Sequence, residues 1–137
     1  MSKVYLLDTN ILSELVKKAP NKNLIAKIKD VPSASLYTAS VCVMELRYGA
    51  LRRGNPDDLW LKIQQRIIAK VRILDFSYNE ALKAAEVLYE LYSVGQPIGI
   101  EDIMIGSIAL SRGLTVVTAN IKHFSRIPNL RVENWFL

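Results

Sequence analysis

The sequence predicts an α/β fold with helices on both faces of a central, mainly parallel β-sheet, and three observations carry that expectation. Short apolar runs bounded by turn residues alternate with longer helical patterns along the 137 residues. Two of those runs, Val4-Tyr5-Leu6-Leu7 and Leu114-Thr115-Val116-Val117-Thr118, read as strands buried within a sheet. Half of the residues are hydrophobic, which is enough for one ordinary domain, 1–137, to build a core without disulfide or metal staples.

The elements follow in order. Lys3 to Leu7 is the first strand, and a helix begins near Asn10 and stops before Pro20. A second helix occupies about Asn21 to Asp30. After Val31-Pro32-Ser33-Ala34 comes the short strand Leu36-Tyr37-Thr38-Ala39, with Ser40 in the position of an N-cap before the apolar-rich helix Val41 to Arg53. Gly54-Asn55-Pro56 breaks that helix. Pro56-Asp57-Asp58 starts the next, which should run to about Ala69 with Leu59, Trp60, Ile63 and Ile67 on one apolar face. That face packs either in the chain's own core or against a partner.

Val71-Arg72-Ile73-Leu74 alternates as a strand does, and Ser77-Tyr78-Asn79-Glu80 is a capping box that opens a long helix closing before Gly95. Ile100 to Ser111 is apolar nearly all round, the mark of a helix buried in the middle of the domain, and Gly113 supplies its stop. The strand Leu114 to Thr118 follows. A turn-rich segment through Phe124 and Pro128 leads to a last strand near Val132.

Composition excludes several classes. Cys42 is the only cysteine and stands among Val41, Val43 and Met44, so it forms no intrachain disulfide, reads as a buried structural thiol and points to a reducing, cytoplasmic setting. Charges at Lys3 and Asp8 leave no apolar signal-peptide core, and no stretch approaches the roughly 18 apolar residues of a membrane span, so no membrane association is expected. Lys and Arg number 18 against 13 acids, a formal charge of +5, which favours a polyanionic partner such as nucleic acid.

Against that basic background, three acids stand in apolar settings. Asp8 lies where the first strand ends and a helix begins. Thr38-Ala39 and Thr118 stand at the carboxyl ends of later strands, the edge along which open α/β sheets bind ligands. Glu45 is in the second turn of its helix, and its neighbours on the same face, Val41, Cys42, Tyr48 and Gly49, are all uncharged. Asp102 is in the first turn of the buried helix, where the macrodipole favours an anion. Each acid alone has a bland explanation as a solvated, ion-paired or dipole-stabilised group. Three at one sheet edge point to a hard cation, Mg²⁺ or Mn²⁺, able to activate water and to neutralise charge on a phosphodiester. Glu101, about 100° around the helix from Asp102, should face solvent.

The stretches Leu7-Asp8-Thr9-Asn10-Ile11-Leu12, Met44-Glu45-Leu46 with Gly49, and Ile100-Glu101-Asp102-Ile103-Met104-Ile105-Gly106 resemble those of the PIN-domain ribonucleases, specifically VapC-type toxins of type II toxin-antitoxin modules. The tail, Val117-Thr118-Ala119-Asn120 with His123-Phe124, Ile127-Pro128, Leu130 and Glu133-Asn134-Trp135, is similar to the family's usual ending. The resemblance spans nearly the whole chain. It implies a three-layer α/β/α sandwich and a metal-dependent endoribonuclease that hydrolyses RNA phosphodiester bonds with a metal-activated water. Asp8, Glu45 and Asp102 would bind Mg²⁺ or Mn²⁺, and Asn10 and Thr118 would orient carboxylates or water. Asn120 would stand where many PIN domains carry a fourth acid, and an amide there favours one tightly held ion over two. The resemblance further implies a homodimer and a cognate VapB-type antitoxin.

Other readings carry different expectations. A non-catalytic nucleic-acid- or protein-binding domain of the same fold would use the basic surface alone, yet a binder of polyanions gains nothing from three acids in its cleft. A haloacid-dehalogenase phosphatase requires an acid where Asn10 stands. A response-regulator receiver could use Asp75 as phosphoacceptor but lacks its acidic pair after the first strand. His123, the only histidine, is expected at the surface; Tyr89 and Tyr92 read as core or dimer packing; and Lys17-Lys18 and Arg52-Arg53 read as solvated helix ends able to hold phosphates.

Overall fold

The computed structural model describes residues 3–137. Five strands form one sheet: β1 (Tyr5–Leu7), β2 (Leu36–Ala39), β3 (Arg72–Leu74), β4 (Thr115–Val117) and β5 (Val132–Glu133). Their order is β3-β2-β1-β4-β5, and every pairing is parallel. Leu6, Leu7, Val116 and Val117 are fully buried, as parallel strands covered on both faces must be, which is why their sequence shows apolar runs rather than alternation. The alternating Arg72-Ile73-Leu74 instead lies at an edge, paired on one side only.

The connections are α1 (Thr9–Leu15) and α2 (Lys22–Asp30) before β2, and α3 (Ser40–Leu51) and α4 (Pro56–Ile63) before β3. After β3 come α5 (Tyr78–Ser93), α6 (Ile100–Arg112) and, beyond β4, α7 (Ile121–Phe124). The sheet grows from β1 through β2 to β3 and then returns to add β4 and β5 on the opposite side. Right-handed crossovers therefore put α1 to α4 on one face and α5 to α7 on the other, completing the three-layer sandwich. Packing of α1 on α3, α3 on α4, and α5 on α6 agrees with that division. α6 carries the fully buried Ile103, Ile105 and Ile108 into the core, and Trp135 closes it from the C-terminal side, its ring edge-on to Tyr5 at 4.9 Å.

α1 ends at Leu15, before Pro20 as expected, and the turn that follows is held by Glu14, which accepts the Asn21 N–H (2.9 Å) and pairs with Lys17 (2.8 Å). Other boundaries differ from expectation for local reasons. Ser40 is the first residue of α3 rather than its cap. Ala39 caps without a side-chain bond, because β2 runs directly into the helix. The helix from Pro56 is α-helical only to Ile63, and one π turn, Gln64–Ile68, then carries Ile67 into the core beside Ile63. Leu59 and Trp60 are partly buried against that same core, so this face contributes to the chain's own packing.

The Ser77–Glu80 box opens α5 without capping it. Ser77 Oγ bonds Glu80 Oε2 (2.8 Å), and the buried Glu80 turns to Arg112 of α6 (3.4 Å). Tyr89 and Tyr92 are 78% and 67% exposed, so of the core and dimer packing expected for them the core is excluded, because Ala84, Val87 and Leu91 form the inner face of α5. Among the described residues, no helix is long and apolar enough to cross a membrane.

Candidate active site

The strand order reverses between β1 and β4, and the crevice beyond their carboxyl ends is where open α/β sheets bind ligands. Asp8 follows β1 there, its N–H bonded to Val117 O at 3.0 Å. Its side chain is 5% exposed and held by three donors. The Thr9 N–H donates to Oδ1 at 2.8 Å, and the Thr118 hydroxyl (2.8 Å) and Asn10 amide (3.2 Å) donate to Oδ2. Thr118 Oγ1 in turn accepts from the Asn10 amide (3.2 Å) and the Asn120 N–H (2.9 Å), while Asn10 Oδ1 accepts from the Ala119 N–H (3.1 Å). Asn10 and Thr118 thus tie the loops after β1 and β4 together and fix the Asp8 rotamer between them.

Glu45 reaches the same crevice from the second turn of α3, its Oε1 accepting the Thr9 hydroxyl at 2.7 Å. Asp102 enters from the first turn of α6. His123 Nδ1 stands 3.6 Å from Asp102 Oδ2, and the Asn120 amide lies 3.5 Å from that oxygen and 2.9 Å from His123 Nδ1. His123 is half-exposed, in keeping with the surface position expected for it, and α7 also turns its ring towards Asp102, a partner the sequence did not show. Glu101 faces solvent as expected, but it remains close enough to repel both Glu45 and Asp102.

Burial and mutual repulsion shape the electrostatics. Burial pushes Asp8 above the usual carboxylate range, opposed by its hydrogen bonds and reinforced by the charge of Asp102. Burial also raises Glu45, and repulsion from Asp8 and Glu101 adds to it. Asp102 is raised by burial and by Glu45 and Glu101, while His123 works in the opposite direction. Among the described residues, no Lys or Arg is ion-paired with Asp8, Glu45 or Asp102. A strongly basic chain has gathered acids here without supplying them a cation, and this arrangement is the one a divalent metal ion compensates.

The donor set fits a hard ion. One potential ligand atom from each of Asp8, Cys42 and Glu45 lies within 4.8 Å of the others. Asp102 is not part of that close group, and reaches it through charge, repelling Asp8 and being repelled by Glu45. Cys42 is a poor ligand for such an ion. Its thiol is fully buried and pushed up to about 11 by desolvation and by the charge of Asp8, so it stays protonated near neutral pH. Oxygen ligands without an available thiolate select Mg²⁺ or Mn²⁺ over softer ions.

Sequence reasoning left Thr9 without a role and Cys42 away from any site. Thr9 offered one signal, a hydroxyl directly after a buried acid. Cys42 offered its position one helical turn before Glu45, which places both on one face of α3.

Comparison with known proteins places these residues in context. Residues 5–130 match the PIN domain family. The chain is 34% identical over 131 residues to the tRNA(fMet)-specific endonuclease VapC of Salmonella typhimurium, covering 96% of this chain and 97% of that protein. It is also 34% identical over 137 residues to ribonuclease VapC2 of Rickettsia felis, covering 96% and 98%. Among solved structures, it superimposes on a chain of the DNA-bound VapBC complex from Salmonella typhimurium with a TM-score of 0.89 at 31% identity, covering 98% of this chain and 99% of the other.

Proposed function

This chain belongs to the PIN domain family, and from that premise we propose that it is an endoribonuclease, the toxin of a VapBC-type toxin-antitoxin pair, using Asp8, Glu45 and Asp102 as its catalytic carboxylates. One observation carries the assignment of the site. Asp8 and Glu45 lie together at the sheet's switch point, Asp102 acts on them by charge from the first turn of α6, all three are raised above the ordinary carboxylate value, and no Lys or Arg among the described residues pairs with them.

The same carboxylates would hold Mg²⁺ or Mn²⁺, which when bound supplies an activated water and charge neutralisation at the scissile phosphodiester. Asn10 and Thr118 fix Oδ2 of Asp8 and the Thr9 N–H fixes Oδ1, while the Thr9 hydroxyl holds Oε1 of Glu45. Preorganised carboxylates need not reorient when substrate arrives. Asn120, neutral where an acid would add attraction, limits the charge facing Asp102 and favours a single ion. The His123 ring is close enough to the cluster to donate a hydrogen bond to an oxygen of bound RNA.

The relatives solved as VapBC complexes support a VapB-type protein as the cognate antitoxin. Homodimerisation and a cytoplasmic location, where RNA and a reduced Cys42 coexist, belong to the same proposal.

The test is cleavage of total cellular RNA by the purified chain in Mg²⁺, in Mn²⁺ and in EDTA, beside Asp8→Asn. An initiator tRNA transcript should be included, because the Salmonella relative carries the name tRNA(fMet)-specific endonuclease. Discrete products that require both the metal and Asp8 are expected. Full activity in Asp8→Asn or in EDTA would refute the assigned site.

A further inference from the structure

We propose that the groove running from Glu45 along α3 to Arg52 and Arg53 is the track for a single-stranded RNA segment. In it the two arginines grip phosphates beside the scissile one, and Gly49 is kept free of a side chain to leave the strand room. The proposal rests on the ribonuclease reading of the acidic site and goes on to name where the substrate lies.

The groove is a cavity of about 540 Å³ between α1, α3 and α4. Thr9 and Glu45 line its acidic end, Arg52 and Arg53 its basic end, and Gly49 the stretch between. Glu45 and Gly49 are one turn apart on the same face of α3, and Arg52, its C-cap, and Arg53 follow at its end, about 10 Å along the helix axis from the acid. A strand whose scissile phosphate meets the carboxylates therefore passes over Gly49 and brings a neighbouring phosphate to the arginines.

Gly49 is the most informative residue in the groove. Glycine inside a helix is less favourable than any residue but proline, so its presence normally has a packing reason. Gly106 has one: a Cβ there would stand 2.5 Å from Ile127 Cδ1. A Cβ on Gly49 meets nothing within 4 Å, and its backbone is not left-handed. No contact within the described residues explains the glycine, whereas a ligand lying in the groove does.

Charge selects that ligand. Lys17, which also lines the groove, is held by Glu14 at 2.8 Å. Arg52 and Arg53 form no ion pair among the described residues. Arg52 is stacked on Tyr48, its guanidinium 5.0 Å from the ring centroid, and Tyr48 is 61% exposed on the groove wall. Two unpaired guanidinium groups beside an exposed aromatic ring suit phosphates and a stacked base. Cations at the C-terminal end of α3 also complement its dipole, but that neither places them in a groove continuous with Glu45 nor explains Gly49. An acidic protein segment would satisfy the arginines equally; the direct run into a phosphodiester-cleaving centre favours RNA.

The test measures binding of a fluorescently labelled single-stranded RNA to the full chain in EDTA as salt is varied, with cleavage by the wild type in Mg²⁺ followed in parallel. Arg52→Ala/Arg53→Ala should weaken binding and flatten the dependence of log affinity on log salt by about 1.4, roughly 0.7 for each phosphate that is no longer neutralised. Lys27→Ala/Lys29→Ala removes the same charge from α2, outside the groove, and should leave the slope unchanged. Gly49→Leu should lose binding while its unfolding midpoint holds or rises. Equal flattening by both charge variants would reduce the effect to net charge and overturn the proposal. Wild-type cleavage together with unchanged binding in the arginine and Gly49 variants would overturn it and leave the groove to a protein partner. If the wild type cleaves no RNA, the ribonuclease reading fails and the proposal fails with it.

Discussion

Asp8→Asn separates charge from shape at the centre of the site, and its effect on metal-induced stability follows from the hydrogen bonds Asp8 makes. Asn fills the same volume and serves equally well before a helix. If its oxygen keeps the Thr9 N–H bond, its NH₂ group faces the Thr118 hydroxyl and the Asn10 amide, both of which donate to Asp8 in the native protein. Both hydrogen bonds to Oδ2 are lost, roughly 2 kcal/mol. Removing a buried charge and its repulsion from Asp102 acts in the opposite direction. With unfolding entropies near 2.1 cal/mol/K per residue, 1 kcal/mol corresponds to about 3–4 °C in a chain of 137 residues. Metal-free, the variant should therefore melt within about 7 °C of the wild type.

Metal should separate the two proteins. Mg²⁺ at 100 times its dissociation constant stabilises the wild type by about 2.7 kcal/mol, or roughly 9 °C, while the variant, short of one carboxylate ligand, should gain less than half of that. Thermal unfolding followed by circular dichroism, in EDTA and in Mg²⁺, reads both quantities. Equal metal-induced shifts in the two proteins would refute Asp8 as a ligand.

Two further outcomes follow from the same site. Asp8, Glu45 and Asp102 are held above the usual carboxylate range, so the folded protein retains protons that the unfolded chain releases. This contribution to stability is present below the unfolded carboxylate values, near pH 4, and is lost as pH rises through the higher folded values. In metal-free denaturant titrations, the stability of the wild type relative to Asp8→Asn should therefore fall as pH rises, and a relative gain would contradict the raised values. Thr118→Val preserves shape but removes the hydroxyl that donates to Asp8 and accepts from Asn10 and Asn120, so it should cost about 1–3 kcal/mol and lower RNA cleavage. An unchanged midpoint would show that the loops after β1 and β4 are held by other contacts.

Asp8, Glu45 and Asp102 were legible because an acid inside an apolar stretch is conspicuous without any knowledge of its neighbours. The parallel sheet was legible for a similar reason, since strands buried on both faces lose their alternation. The roles of Thr9, Cys42 and His123 were not. Each depends on a partner brought in by another element: Glu45 of α3 for Thr9, Asp8 after β1 for Cys42, and Asp102 of α6 for His123. The Ser77–Glu80 pair shows the converse. Its spacing matched a local cap, but the nearby Arg112 and the core drew Glu80 into a tertiary contact.

Local chemistry in the sequence therefore determined which residues form strands and helices, which carboxylates sit in apolar settings and what class of ion suits them, because periodicity, capping and charge act over a few neighbouring residues. Tertiary structure alone decided that β1 and β4 are adjacent at the centre of the sheet, that Asp8 is locked by Thr118 from the far end of the chain, and that Gly49 opens a groove between acids and arginines. Those outcomes depend on strand order and on which helix faces remain uncovered, and both are settled only when the whole apolar surface is buried at once.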